Sequence, residues 1–362
     1  MDQRERLAAC VRGCMLGGAV GDALGAPVAH LSLADIRRRF GREGLKDYVE
    51  AYGRLGAITA DTQLTLFVAE GLVRAYVRAC LKGICAPEAV VQHALLRWCL
   101  TQQVKLSAEV ATLDNWADGW LIGERAIWAR RAPGETCLAA LSATVTLGEH
   151  AKNDSKGCAT VARVAPVGFV CRAYADDGSS PAYELGAAVS ALTHGHPVGI
   201  MAGGAFALLV AYLTEGLELR RAVDAMAGFL DRVPGSEVIT RALATALNLV
   251  EEGGEATPEK VESLGGGWVA EEALAIAVYC ALMARDFEHG VRLAANHSGA
   301  SGSTASLTGQ LLGTASGADV IPARWLAVLE LRGVIEEMAA ALLAVRNETF
   351  DPEKEWSRFP GW

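Results

Sequence analysis

Residues 4–25 read RERLAACVRGCMLGGAVGDALG. Leu7, Val11, Cys14 and Val20 fall near the spacing of one helix face, and the positions between them are largely Gly and Ala. Pro27 follows and closes the segment, because proline cannot continue the helical hydrogen-bond ladder. A helix with so little side-chain bulk lets a neighbouring backbone come close. The whole chain shares this trait: Ala and Gly are abundant and aromatic residues make up only 6%. Tightly packed helices are the expectation.

The same reading extends outward. Residues 32–41 (SLADIRRRFG) make a short amphipathic helix capped by Ser32, and residues 65–83 make a longer one stopped at Gly83. Helical patterns continue at residues 86–100, 181–195, 197–216, 237–253, 270–284, 286–296 and 323–345. Sustained alternation of apolar and polar residues is nearly absent. The expected fold is all-α: one compact multi-helix domain over residues 1–346. A C-terminal tail, residues 347–362, docks on it through Trp356, Phe359 and Trp362.

Composition removes several function classes. At 362 residues the chain can bury a large core, and 51% hydrophobic against 21% charged residues excludes disorder. A net charge of −9 lacks the electrostatic footprint of a nucleic-acid binder. No apolar signal region precedes the charges of MDQRERLAACVRG. The longest uncharged stretch, residues 195–214, contains His, Pro and several Gly, and is expected as a buried core helix rather than a membrane span. Nine cysteines lie scattered with no Cys-x-x-Cys pair. They are expected as reduced thiols in a cytoplasmic protein, without structural zinc.

Five segments carry polar chemistry. In ITADTQLT, Thr59 and Asp61 stand directly before a helix, where either one can cap free N–H groups. In NDSKGCA, residues Ser155, Lys156 and Gly157 form a small polar turn able to hold a phosphate. In ALTHGHPVG, His194 and His196 flank a glycine as capping or hydrogen-bonding side chains. In TLDNWADGW, Asp114 and Asp118 are spaced for one helix face. The stretch AANHSGASGSTASLTGQLLG, from Ala294 to Gly313, is a small, polar loop that opens a helix and contains no acid. It suits a phosphate cradle, a metal site without ligands, or a simple cap.

Taken in order, these segments resemble one pattern. RGCMLGGAVGDALGAPV, YGRLGAITADTQLTLFVAEGL, RRAPGETCLAAL, NDSKGCATVARVAPVG, ALTHGHPVG, GGGWVAEEALAIAVYCAL and NHSGASGSTASLTGQLLGTASGADVIPARW are similar to the ADP-ribosylglycohydrolase family, which includes the dinitrogenase reductase-activating glycohydrolases. The resemblance covers nearly the whole chain. It implies an all-α fold that cleaves the glycosidic bond of ADP-ribosylated side chains or related ribosides, with two Mg²⁺ or Mn²⁺ ions in a central cleft.

The departures fall on the implied metal ligands. Ala29 stands where relatives have Glu, Ala60 where they have the first Asp of Thr-Asp-Asp-Thr, and Ala300 and Gly302 where they have both Asp residues of the late loop. Thr59, Asp61 and Thr304 remain of the ligand positions, and Ala159 replaces a glycine of the diphosphate-binding turn. One carboxylate does not hold two divalent ions, whose charge needs several anionic oxygens. No cofactor is therefore expected, with Mg²⁺ bound weakly at most.

Two functions from different classes follow, with a bare scaffold as a third. One is hydrolysis of the N-glycosidic bond of a riboside or nucleotide-like substrate without the binuclear centre. Asp61 would be the first catalytic candidate, Asp22 and Asp118 would stand behind it, and His194 or His297 would supply a proton. The other is a pseudoenzyme that binds ADP-ribose, a nucleotide or an ADP-ribosylated partner without turnover. Ligand contacts would come from Thr59, from the turn Ser155, Lys156, Gly157, Cys158 and Ala159, from His194, and from the loop of His297, Ser298, Gly299, Ser301, Ser303 and Thr304. Neither reading involves nucleic acid or membrane, and the oligomeric state stays open.

Overall fold

The computed structural model describes residues 2–111 and 117–361, so Asp114, Trp116 and Trp362 lie outside the described residues. The helices that carry the architecture are α1 (Gln3–Gly25), α2 (Ala60–Lys82), α3 (Pro87–Thr101), α4 (Pro181–Ala191), α5 (Pro197–Glu215), α6 (Ala270–Leu282), α7 (Phe287–Ala295), α8 (Ser301–Ser316) and α9 (Arg332–Arg346). Shorter helices connect them. Among the described residues there is no β-strand, only isolated bridges Ala51–Arg54 and Gly157–Val269.

The small residues of α1 do what their lack of bulk allows. Helix α1 lies antiparallel on α8, with Gly13, Gly17, Gly21 and Gly25 facing Gly313, Gly309, Ala305 and Ser301. A Cβ added at Gly17 would stand 2.3 Å from the Gly309 carbonyl oxygen, and one at Gly309 would stand 2.1 Å from that of Gly17. Carbonyl oxygens and Cα atoms fill the space that side chains would need. This close seam brings the N-terminus of α8 beside the C-terminal end of α1, and the candidate site lies there.

Helices α1 and α5 are long and apolar enough to cross a membrane, yet 78% and 83% of their apolar windows are buried in the protein. Helix α5 occupies the stretch expected as a core helix. Helix α2 ends at Gly83, whose φ of +73° is left-handed, as the sequence stop requires.

One expected helix is divided. Residues 323–345 form Ala323–Val328 and then α9, with Leu331 in a left-handed conformation at φ +57°. The break turns Glu330 inward. Its carboxylate pairs with Arg131, pairs with Arg54 at 2.9 Å and accepts the Ile58 N–H at 3.1 Å. A buried carboxylate with three donors outweighs helical continuity here.

In the last residues Phe359 is fully buried, with its ring 5.9 Å from Trp120 and 5.7 Å from Phe350, and Phe350 in turn meets Tyr76 on α2.

Candidate active site

The N-terminus of α2 is capped from another helix. Asp22, fully buried near the end of α1, accepts the Thr59 N–H at 2.8 Å, the Thr59 hydroxyl at 2.6 Å, the Thr62 hydroxyl at 2.6 Å and the Thr62 N–H at 3.3 Å. Free helical N–H groups need an acceptor, and a carboxylate at this end also meets the positive pole of the helix. Burial pushes the Asp22 carboxyl up, while the four hydrogen bonds pull it back. Oδ2 accepts three of these hydrogen bonds and Oδ1 one, so the Asp22 carboxylate is held as a cap behind the cavity.

That capping leaves the Asp61 side chain available. Asp61 sits in the wall of a cavity of about 540 Å³, half-buried, and accepts a 2.6 Å hydrogen bond from Ser303 Oγ at the start of α8. Burial and the neighbouring Asp22 push its carboxyl up to about 7, against the hydrogen bond from Ser303. Cys158 Sγ donates to Ser303 Oγ at 3.6 Å. Burial first, then the nearby Asp61, raise that thiol to about 12, so it stays protonated at neutral pH. The direction of the chain is thereby set: Cys158 donates to Ser303, and Ser303 donates to Asp61.

The mouth of the cavity is aromatic. His30 and Trp268 stack with ring centroids 4.6 Å apart and planes at 28°, and Tyr52 lines the same cavity. Trp268 is 45% exposed and Tyr52 50%. Trp268 follows a glycine turn whose Gly266 and Gly267 N–H groups bind Glu272 at 3.0 and 3.1 Å, and its carbonyl accepts the Cys158 N–H at 3.0 Å. Tyr52 carries the Arg131 guanidinium over its ring at 5.4 Å. His30, Tyr52 and Ala132 all line the cavity with left-handed φ values of +69°, +54° and +45°. For residues with a Cβ that conformation costs about 1–3 kcal/mol each and persists only where the surroundings impose it.

Of the residues anticipated from sequence, Thr59, Asp61, Gly157, Cys158, Ala159, His194 and Ser303 line the cavity, as do the substituted positions Ala29, Ala60, Ala300 and Gly302. The others do not line it, although Ser155 lies directly behind Thr136 of the wall. Asp118 pairs with Arg74 at 2.8 Å, in a network with Glu70 and Arg97. Arg74 lies thirteen residues along α2 from Asp61, roughly 20 Å at the helical rise, so Asp118 takes no part in this cavity. Lys156 is tied to Glu271. Ser155 contacts Thr136 at 3.4 Å, and Ser298 Oγ accepts the Leu33 N–H at 2.8 Å. Gly299 accepts the His30 N–H, Ser301 donates to the His297 carbonyl, and Thr304 donates to that of Ala294.

Neither histidine fits the proton-donor role. His194 lines the cavity, but burial and then the Arg163 guanidinium pull its imidazole down to about 3. His297 is buried against Thr304 at 2.9 Å, and burial holds it down at about 4. Both are neutral at physiological pH.

Sequence reasoning passed over His30, Tyr52, Trp268 and the wall from Pro133 to Cys137. Two signals pointed to them: the glycine turn before Trp268, and the position of His30 directly after Ala29.

The residues present do not fit a binuclear Mg²⁺ centre. Among the described residues no group of three or more His, Cys, Asp or Glu converges on one point. The cavity positions 29, 60, 300 and 302 offer only methyl groups and a hydrogen, and the Asp22 carboxylate is held by hydrogen bonds from Thr59 and Thr62. Mg²⁺ takes near-octahedral oxygen ligands, with one or two carboxylates per ion beside its waters, and Asp61 alone does not serve two such ions.

Comparison with known proteins fits this architecture. The profile of the ADP-ribosylglycohydrolase family matches residues 2–352. An uncharacterized protein of Archaeoglobus fulgidus is 30% identical over 339 residues, which span 91% of this chain and 95% of that protein. A solved structure described as an ADP-ribosylglycohydrolase-related protein complex superposes with a TM-score of 0.64 at 24% identity, over 96% of this chain and all of the other, a likeness of fold. The chain belongs to the ADP-ribosylglycohydrolase family.

Proposed function

We propose that this protein hydrolyses the N-glycosidic bond of a riboside without a metal centre, with Asp61 as the reacting carboxylate. The observation that carries the reading is the Asp61 side chain, oriented by the 2.6 Å bond from Ser303 in a cavity that Ala29, Ala60, Ala300 and Gly302 also line. Three strained residues on the same wall support a site that is still in use.

Glycosidic cleavage passes through an oxocarbenium-like transition state. The C–N bond breaks and its electron pair goes to the leaving nitrogen. A pyridinium nitrogen becomes neutral in that step and needs no acid, which matches a cavity whose buried His194 is held neutral. Water adds to the anomeric carbon, and its proton passes to the Asp61 carboxylate. Asp61 also offsets the positive charge that develops on the sugar ring. The nine cysteines, all free thiols, support a reducing cytoplasmic setting.

A turnover screen over ribosides tests this, with Asp61→Asn as the control. Loss of a general base costs about 10²–10⁴ in rate. Asp61→Asn should lose turnover on that scale while still binding substrate. Unchanged turnover would remove Asp61 from the mechanism, and ligand binding without any turnover would favour the pseudoenzyme.

A further inference from the structure

We infer that the substrate is a cationic riboside without phosphates: a planar aromatic cation joined to ribose. The inference rests on the hydrolase reading and narrows its substrate.

Charge is the first observation. Among the described residues no Lys or Arg lines the cavity, whereas Asp61 and Glu135 do. Asp22 lies just behind the wall, 3.9 Å from where a Cβ on Gly302 would stand. The nearby cations are already paired. Lys156 is paired with Glu271, and Arg131, which lies over the Tyr52 ring at the mouth, is paired with Glu330. Arg163 is fully buried and donates to the Val189 carbonyl at 3.0 Å and the Thr193 hydroxyl at 2.6 Å. The N-terminus of α8 favours an anion, but Asp61 already stands beside it on Ser303. A phosphate placed there would meet a carboxylate, with no Lys or Arg among the described lining residues to offset it.

The mouth is the second observation. Trp268 is about half exposed with His30 stacked on it, Tyr52 already carries the Arg131 guanidinium over its ring, and Glu135 is exposed at the rim. Aromatic faces attract planar cations, most strongly when a carboxylate is close. An aromatic cation is also the leaving group that departs without a proton donor.

Isothermal titration of the full chain with nicotinamide riboside, its 5′-monophosphate and ADP-ribose tests the inference. The riboside should bind at least tenfold tighter than either phosphorylated probe, and Trp268→Ala and Glu135→Gln should each weaken it at least threefold. Equal or tighter binding of a phosphorylated probe overturns the inference. So does failure of the riboside to bind at millimolar concentration, or affinity unchanged in both variants. Nicotinamide release separates the two levels. Tight riboside binding without release upholds this selectivity and overturns the hydrolase reading. Preferential hydrolysis of NAD would do the reverse.

Discussion

Ser303 Oγ stands 2.6 Å from Asp61 Oδ2 and joins the first turn of α8 to the first turn of α2. On the proposed reading, this bond fixes where the Asp61 carboxylate points. A hydrogen bond to a charged group is worth about 1.5–3 kcal/mol, or roughly 10- to 100-fold in rate. Ser303→Ala should therefore lower kcat by that factor and leave KM nearly unchanged. Steady-state kinetics on a turned-over riboside checks it. A loss confined to KM would assign Ser303 to binding instead.

Titration calorimetry with Mg²⁺ or Mn²⁺ should give no stoichiometric isotherm for the natural chain. A Cβ at Gly302 has no neighbour nearer than 3.8 Å, so the cavity has room for a side chain there. Ala60→Asp, Ala300→Asp and Gly302→Asp together should create divalent-cation binding. Tight two-site binding by the natural chain would contradict the account of the emptied centre.

The seam between α1 and α8 should tolerate no added atoms. Gly17→Ala puts a methyl 2.3 Å from the Gly309 carbonyl oxygen, where only a shift of both helices can make room. Overpacking of this kind costs about 1–3 kcal/mol, and backbone rather than side chain must yield here, so the upper end is expected. Urea unfolding measures it, with Gly228→Ala as the control, since nothing lies near that position.

His194 should make stability sensitive to acid. Its folded-state value is lowered from 6.5 to about 3, so below pH 6.5 the unfolded chain takes up a proton that the folded one refuses. Stability is fully present above that point and falls with pH, by up to about 1.4 kcal/mol per pH unit. Between pH 7 and 5 the natural chain should lose about 2 kcal/mol more than His194→Gln in urea titrations. Equal losses would show that His194 is not held neutral.

The fold was legible because helical spacing, Gly and Ala content and the stop at Gly83 are local properties, and α1, α2 and α5 follow them. The break before α9 was not, because Glu330 is turned inward by Arg54, Arg131 and the Ile58 N–H, all distant in sequence. The same limit applied at the site. Thr59 and Asp61 were readable as a cap beside a candidate carboxylate. Thr59 does cap the helix, accepting the Asp61 N–H at 3.4 Å, and that Asp22 joins in depends on the approach of α1 to α2. Asp118 drew attention by its spacing, but Arg74 holds it in a separate ion network. The aromatic mouth was hidden because His30, Tyr52 and Trp268 come from three separate loops.

Nicotinamide release from nicotinamide riboside, measured on protein dialysed against EDTA and then with Mg²⁺ restored, tests the central claim most directly. The account expects the same turnover in both conditions, and a loss of at least a hundredfold in Asp61→Asn. Turnover that vanishes in EDTA and returns with Mg²⁺, or no release in either condition, would contradict it.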